Sequence, residues 1–273
     1  MFAELALRPF GYGSYVLYGS HAELLWLPEP NQRGVTVAGH QPITINDASL
    51  RWSQPGVPTA VGFGDSVTMG WGVADDDTFS ARLGMASAGV NAWPTSLCVD
   101  RFEALAPQLD EAVLAYSFNN RMEAVIASDD KEGFLRGVRL KNAARRLALY
   151  NFVVEDLLRR AVYHRVKEDL VDGTWARGGE RLENNQTRVR EALHRALDVA
   201  DQHGIALTLL VLGSAGQTSP GPFQQIWLDV AAERDATLVD MTGMDPALFQ
   251  DHVHPVPEGH RLIAEALAQS GRP

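Results

Sequence analysis

Three side chains have types and spacing that suit covalent chemistry. Ser66 stands in "VGFGDSVTMGWGV" (61–73), where an apolar run ends in Gly64 and Asp65 precedes the hydroxyl. A serine attacks a carbonyl only when a base takes its proton, and the base needs a group that fixes its tautomer. Among eight histidines, His254 follows Asp251 by three positions in "DHVHPVPEGH" (251–260), just before Pro255, which stiffens the turn. Residues three apart in a turn or first helical coil face one side. Asp251 can then accept from one imidazole nitrogen while the other faces Ser66, an arrangement suited to acyl transfer.

Other readings of these segments compete. The 251–260 stretch also reads as a polar loop before a terminal helix. A metal pair of His252 and His254 would need a regular strand, which Pro255 and Pro257 oppose, and no third ligand is indicated. No metal and no cofactor are expected. A dinucleotide fingerprint would need glycine at 67, where Val67 stands, and a P-loop would need a lysine, which is missing between Arg51 and Lys131. The lipase-type elbow fails at Thr68. Gly64 is expected to let the chain turn sharply, and Gly70 and Gly72 to keep side chains out of the substrate's approach. Asp65 either touches substrate or, more simply, braces the loop through backbone N–H groups. Asp75 to Asp77 read as a helix cap before a cation site. His260 reads as an anchor for the last helix, and His194 and His203 as solvated. Trp71 and Trp93 line a pocket or pack the core.

The elements around these residues alternate. "TAVGFG" (59–64), "EAVLAYSF" (111–118), "IALTLLVLG" (205–213) and "ATLVDM" (236–241) are short apolar runs of the kind that form buried parallel strands, with a weaker one near 87–91. Helical spacing follows in "ADDDTFSARLGMAS", with Asp at its expected N-cap, and in 131–170, 186–204, "PFQQIWLDVAAERD" and "PEGHRLIAEALAQ". This predicts an α/β fold, a parallel sheet wrapped on both faces. Residues 1–57 read as an N-terminal extension or small β subdomain with strand-like "YVLYG", "ELLWL" and "PITIN". Residues 58–273 read as the catalytic domain, with a helical insertion at about 121–185.

At 273 residues the chain can bury a sizeable core. A net charge of -10 argues against a surface that collects nucleic acid. The single Cys98 excludes an intrachain disulfide and a thiolate zinc site. No apolar run approaches the roughly eighteen residues of a membrane span. The start lacks the basic, apolar and cleavage regions of a signal peptide. The chain as written is expected in the cytoplasm, or exported or tethered if an apolar segment precedes "FAELALRPFGYG". The sequence leaves the oligomeric state open.

"GFGDSVTMGWGV" and "DHVHPVPEGHRLIA" resemble the first and last blocks of the SGNH, or GDSL, hydrolase family. The resemblance implies a three-layer α/β/α flavodoxin-like fold over about 58–270, with Ser66 as nucleophile, His254 as base and Asp251 as its orienting carboxylate. It also implies an oxyanion hole built from the Ser66 N–H, the Asn119 side chain and a glycine N–H. "SFNN" (117–120) stands where Gly-x-Asn-Asp is usual, which places Asn120 as a departure. In "AGVNAWPTS" (88–96) Ala92 occupies the glycine position, with Gly89 as the competing assignment; alanine keeps the donor where its backbone angles allow. "ELLWLPEPNQRGV" and "PITINDASLRW" resemble an extension found in bacterial members, some encoded with glycan or natural-product assembly enzymes. The implied function is cleavage of an O-acyl ester on a small molecule or glycan. An O-acyltransferase using the same acyl-serine and a non-catalytic binding module are the alternatives.

Overall fold

The computed structural model describes residues 2–36, 39–120, 123, 131–158 and 179–271. After helix α1 (Phe2–Leu7), strands β1 (Tyr18–His21) and β2 (Leu25–Pro28) form one antiparallel hairpin, and β3 (Gln32–Val35) and β4 (Pro42–Ile45) a second. Then come β5 (Ala60–Phe63), β6 (Ala86–Ser87), β7 (Glu111–Ala115), β8 (Ala206–Leu212) and β9 (Thr237–Met241). These five run parallel in the order β6-β5-β7-β8-β9. Counted among themselves they follow 2-1-3-4-5, the doubly wound order whose switch point lies between the first and third strands. Ligands in such sheets bind beyond the carboxyl ends of the strands at that point, and β5 runs into Ser66 while β7 runs towards Asn119.

The central strands β5, β7 and β8 are buried on both faces, which explains their continuous apolar runs. Six consecutive residues of β8 are buried. Side chains alternate across a strand, so Leu209 packs with Phe63, Phe102 and Trp227 on one face, while Leu210 packs with Val67, Phe79 and Ile263 on the other. The first face carries α4 (Thr95–Leu105), α7 (Gly179–His203) and α8 (Pro222–Glu233). The second carries α2 (Ser66–Met69), α3 (Phe79–Arg82) and α9 (Pro257–Gln269). The fold is thus a three-layer α/β/α arrangement around a parallel sheet.

Residues before the sheet share its core. Val16, Tyr18, Leu25, Trp26, Ile43, Ile45 and Leu50 pack in the cluster that holds Phe63, Phe102 and Trp227. Arg51 makes backbone bridges to both Ile45 and Ser87, joining the second hairpin to β6.

Two predicted helices differ in detail. The cap expected at an aspartate is Thr78, whose hydroxyl accepts from Ala81 N at 3.1 Å, and the α-helical part covers only Phe79–Arg82. Asp75 and Asp77 are instead occupied by Arg51 and Arg82, both at 2.8 Å. The long helix expected over 131–170 is broken. Helix α5 (Lys131–Arg145) stops where buried Asn151 donates to the Arg145 carbonyl at 2.6 Å. A new short helix α6 (Ala148–Tyr150) starts with the Ala148 and Leu149 N–H groups on the Glu4 carboxylate, followed by a π-helical turn at Asn151–Leu158. The remainder of that prediction, and much of the 121–185 insertion, lies outside the described residues.

Candidate active site

Beyond β5 the chain enters α2, with Ser66 as its first residue. Asp65 caps it, its Oδ1 accepting from Val67 N at 2.9 Å. The helix has four residues because Gly70 follows in the left-handed region, at φ +76°. Ser66 Oγ lies 2.8 Å from His254 Nε2, and His254 Nδ1 lies 2.7 Å from Asp251 Oδ2. The other Asp251 oxygen accepts from Val253 N and His254 N, both at 2.9 Å. Burial alone would raise the Asp251 carboxyl. The hydrogen bond and charge of His254, with the two backbone N–H groups, outweigh it and hold it at about 2. Asp251 is therefore an anion at neutral pH and an acceptor towards both partners.

Asp65 faces inward and has no exposure. Besides capping α2, it accepts through Oδ2 from Phe118 N and Asn119 Nδ2, both at 2.9 Å. Burial pushes its carboxyl up, against these donors and the His254 charge. The bracing reading of Asp65 accounts for all of these bonds, and the brace ties the serine loop to the loop after β7. One Asn119 amide N–H is spent on it, and the amide has a second. Asn120, the departure from the family pattern, is buried with Oδ1 accepting from Thr95 N at 3.0 Å and Thr95 Oγ1 at 2.7 Å, so it caps α4. Buried Glu123 accepts from Ser96 N at the same helix end.

The two candidates for the remaining donor differ in geometry. Gly89 spends its N–H on Ser87 Oγ at 3.2 Å, and a Cβ there would lie 2.3 Å from Met69 N. Its lack of a side chain lets the β6 loop lie against α2. Ala92 has φ +66°, the left-handed conformation that a glycine adopts without cost, and no acceptor meets its N–H among the described residues.

The glycines of the serine loop have other roles than expected. Gly64 is not in the positive-φ region; a Cβ there would fall 2.1 Å from Thr68 Oγ1, so close approach of α2 requires it. At Gly70 a Cβ would meet Thr78 Cγ2 at 2.4 Å and Arg51 Nη1 at 2.6 Å, and at Gly72 the Gln250 side chain at 2.3 Å. Their missing side chains make room for Thr78, Arg51 and Gln250. Gln250 was invisible in the sequence: it donates to Trp71 O at 2.5 Å, and its N–H donates to His254 O at 2.9 Å.

Trp71 packs on His254, ring centroids 5.7 Å apart and planes 31° apart, whereas Trp93 is wholly buried in the core. A shallow recess adjoins this loop, lined by Met69, Gly70, Trp71 and Asn91 together with Tyr18, Ile43 and Arg145 among others. His194 is half-buried, 3.6 Å from Glu233, and His203 is exposed. Among the described residues no group of three His, Cys, Asp or Glu side chains is placed to hold a metal, and no helix is long and apolar enough to cross a membrane.

His260 is fully buried, its ring stacked on Phe79 at 6.0 Å and its Nδ1 accepting from Phe79 N at 3.3 Å. Burial, helped by the charges of Arg51, His254 and Arg82, pulls its pKa down to about 3. It anchors α9 as a neutral ring. Between the unfolded value near 6.5 and about 3, the unfolded chain holds a proton there that the folded chain does not. Stability is therefore lost as pH falls through that window, by up to about 1.4 kcal/mol per pH unit. Urea denaturation at pH 7 and pH 5 should show a smaller loss in His260→Gln than in the wild type.

No family model matches the chain, and no curated protein matches it. Among solved structures, a lipolytic protein of the G-D-S-L family from Desulfitobacterium hafniense DCB-2 is similar at 14% identity, with 77% of this chain and 98% of that chain covered and a TM-score of 0.49. An acylhydrolase from Bacteroides fragilis NCTC 9343 is similar at 15% identity, 79% and 89% coverage and a TM-score of 0.47. Axe2, an acetylxylan esterase from Geobacillus stearothermophilus, is similar at 13% identity, 79% and 94% coverage and a TM-score of 0.44.

Proposed function

We propose that the chain is a serine esterase of the SGNH kind that cleaves an O-acyl ester on a small molecule or glycan through an acyl-serine. The observation that carries this reading is the unbroken hydrogen-bond line from Ser66 Oγ through His254 to the Asp251 anion. His254 Nε2 takes the Ser66 proton as Oγ bonds to the ester carbonyl carbon. The negative charge on the carbonyl oxygen is met by the Ser66 N–H, the second Asn119 amide N–H and the Ala92 N–H. Collapse expels the alcohol, which leaves with the proton from His254. Water, deprotonated in turn by His254, then releases the acid and restores Ser66.

In this reading one half of the ester lies against the recess beside Trp71. Its mixed wall of Ile43, Met69 and Trp71 with Tyr18, Asn91 and Arg145 suits a ligand with both apolar and hydroxyl surface. Residues 58–273 form the catalytic unit in this reading, and residues 1–57 an arm built against it.

The test is covalent labelling with a fluorophosphonate, read by mass spectrometry, beside turnover of aryl esters from acetyl to long acyl chains. Label is expected on Ser66 and nowhere in Ser66→Ala, with labelling strongly slowed in His254→Ala. Folded wild-type protein that takes no label and turns over no ester would sink the reading. Asn119→Ala is expected to lower kcat by about a hundredfold to a thousandfold, the usual loss for one oxyanion donor. Turnover close to wild type in that variant would remove Asn119 from the role.

A further inference from the structure

We propose that Arg51 is a positioning residue for the serine loop. Its guanidinium, brought in by the N-terminal arm, closes the carbonyl end of α2 and so sets Ser66 and Trp71 against His254. The proposal rests on the reading of Ser66 as the nucleophile.

A helix of four residues cannot hold itself together, because nucleation costs more than its few internal bonds return. Its last carbonyls lack helical partners and must find them elsewhere. At α2 they find them on two residues outside the loop. Thr68 O accepts from Ser87 Oγ at 2.7 Å. Met69 O and Gly70 O accept from Arg51 Nη1 at 2.6 and 2.9 Å. Arg51 Nη2 reaches Val73 O at 2.8 Å and Pro42 O at 3.3 Å, and its Nε meets Asp75 Oδ1 at 2.8 Å. A guanidinium has five N–H donors, and each is matched here to one acceptor on a residue 5% exposed.

The arginine itself has little freedom. Its backbone N–H and carbonyl pair with Ser87 at 2.8 and 3.2 Å, which fixes its stem to the sheet. Asp75 in turn accepts from Thr44 N at 3.2 Å. Gly70 is the position where a side chain would collide with Nη1, so loop and arginine are shaped to each other. What the clamp holds is the catalytic surface. Trp71 N donates to Ser66 O at 3.0 Å, and the Trp71 ring lies on His254. Losing the clamp frees the residues that set the distance between Ser66 and His254.

The experiment compares Arg51→Gln with wild type in three readouts: kcat and KM for an aryl acetate, thermal midpoint, and amide exchange by residue. A misplacement of about 1 Å costs about a hundredfold in rate. We expect a kcat loss of about that size at a temperature well below the midpoint, with KM within about twofold. Exchange should quicken at Gly70 and Trp71 and stay as in wild type at Leu209 and Leu210 of β8. Unchanged kcat, or exchange that quickens equally in β8, overturns the proposal. Should Arg51→Gln not fold, Asp75→Asn decides. It removes the carboxylate and is expected to lower kcat by about tenfold, the equivalent of one charge-assisted hydrogen bond, with the same local exchange; no change in either overturns the proposal. If wild-type protein turns over no ester, the reading of Ser66 falls, while the exchange comparison still decides whether Arg51 holds the loop.

Discussion

Ser66→Ala is expected to lower kcat for an aryl acetate by about 10⁴- to 10⁶-fold, the range seen when a nucleophile that works as one unit with its base is removed. The variant deletes one oxygen at a half-buried position whose backbone is held by Asp65 and by the bonds to Trp71 N and Gly70 N. The fold and the other donors should persist, so a residual rate from the Asn119 and Ala92 N–H groups is expected. Single-turnover assays give the clearest measurement, because a trace of wild-type enzyme would dominate steady-state rates. His254→Ala should fall to a similar level, and the double variant little further, since the two act on one proton. A double variant whose losses multiply would mean that Ser66 and His254 act separately.

Asp251→Asn is expected to cost about 10⁴-fold in kcat through a change of tautomer. Asp251 now accepts from His254 Nδ1–H, which leaves Nε2 with a lone pair towards Ser66. An asparagine placed with its nitrogen at Oδ2 would donate instead, putting the imidazole proton on Nε2. The ring could then no longer take the serine proton. Asn can keep the two backbone bonds now made by Oδ1, so the thermal midpoint should move far less than the rate. With Asp251 held near 2, its own titration lies below the range in which the activity would be measured, so an acid limb in the wild-type rate above pH 4 should not follow this carboxyl. Near-normal turnover in Asp251→Asn, with the protein folded, would exclude the tautomer role.

The parts of this molecule legible in the sequence are those whose physics is local. Short apolar runs mark β5, β7 and β8, which are buried almost throughout, because a strand covered on both faces must be apolar along its length. Asp251 and His254 meet because they stand three apart before a proline. What escaped depends on distant partners. Arg51 reaches mainly backbone carbonyls, which every residue carries and no sequence distinguishes. Gly70 and Gly72 face Arg51, Thr78 and Gln250, the last of them far along the chain, so their need for a missing side chain could not be assigned from the loop. The cap expected at an aspartate fell to Thr78 because Asp75–Asp77 form a 3-10 turn of their own, and Thr78 is the residue that directly precedes the α-helical part. The new helix start at Ala148, after α5, is capped by Glu4, more than a hundred residues away.

The bridge from Ile45 through Arg51 to Ser87 has a meaning beyond the serine loop. Strand β6 has two residues and would otherwise present unpaired N–H and carbonyl groups to any passing chain. The arm covers that flank of the sheet. At the opposite flank, among the described residues, β9 pairs with β8 alone. Among the described residues the sheet thus has one covered margin and one uncovered one, and misassembly by strand addition would begin at β9. There the exposed Thr237 and Asp240 put polar and charged groups on this edge strand, the kind of guard that discourages a second copy from extending the sheet.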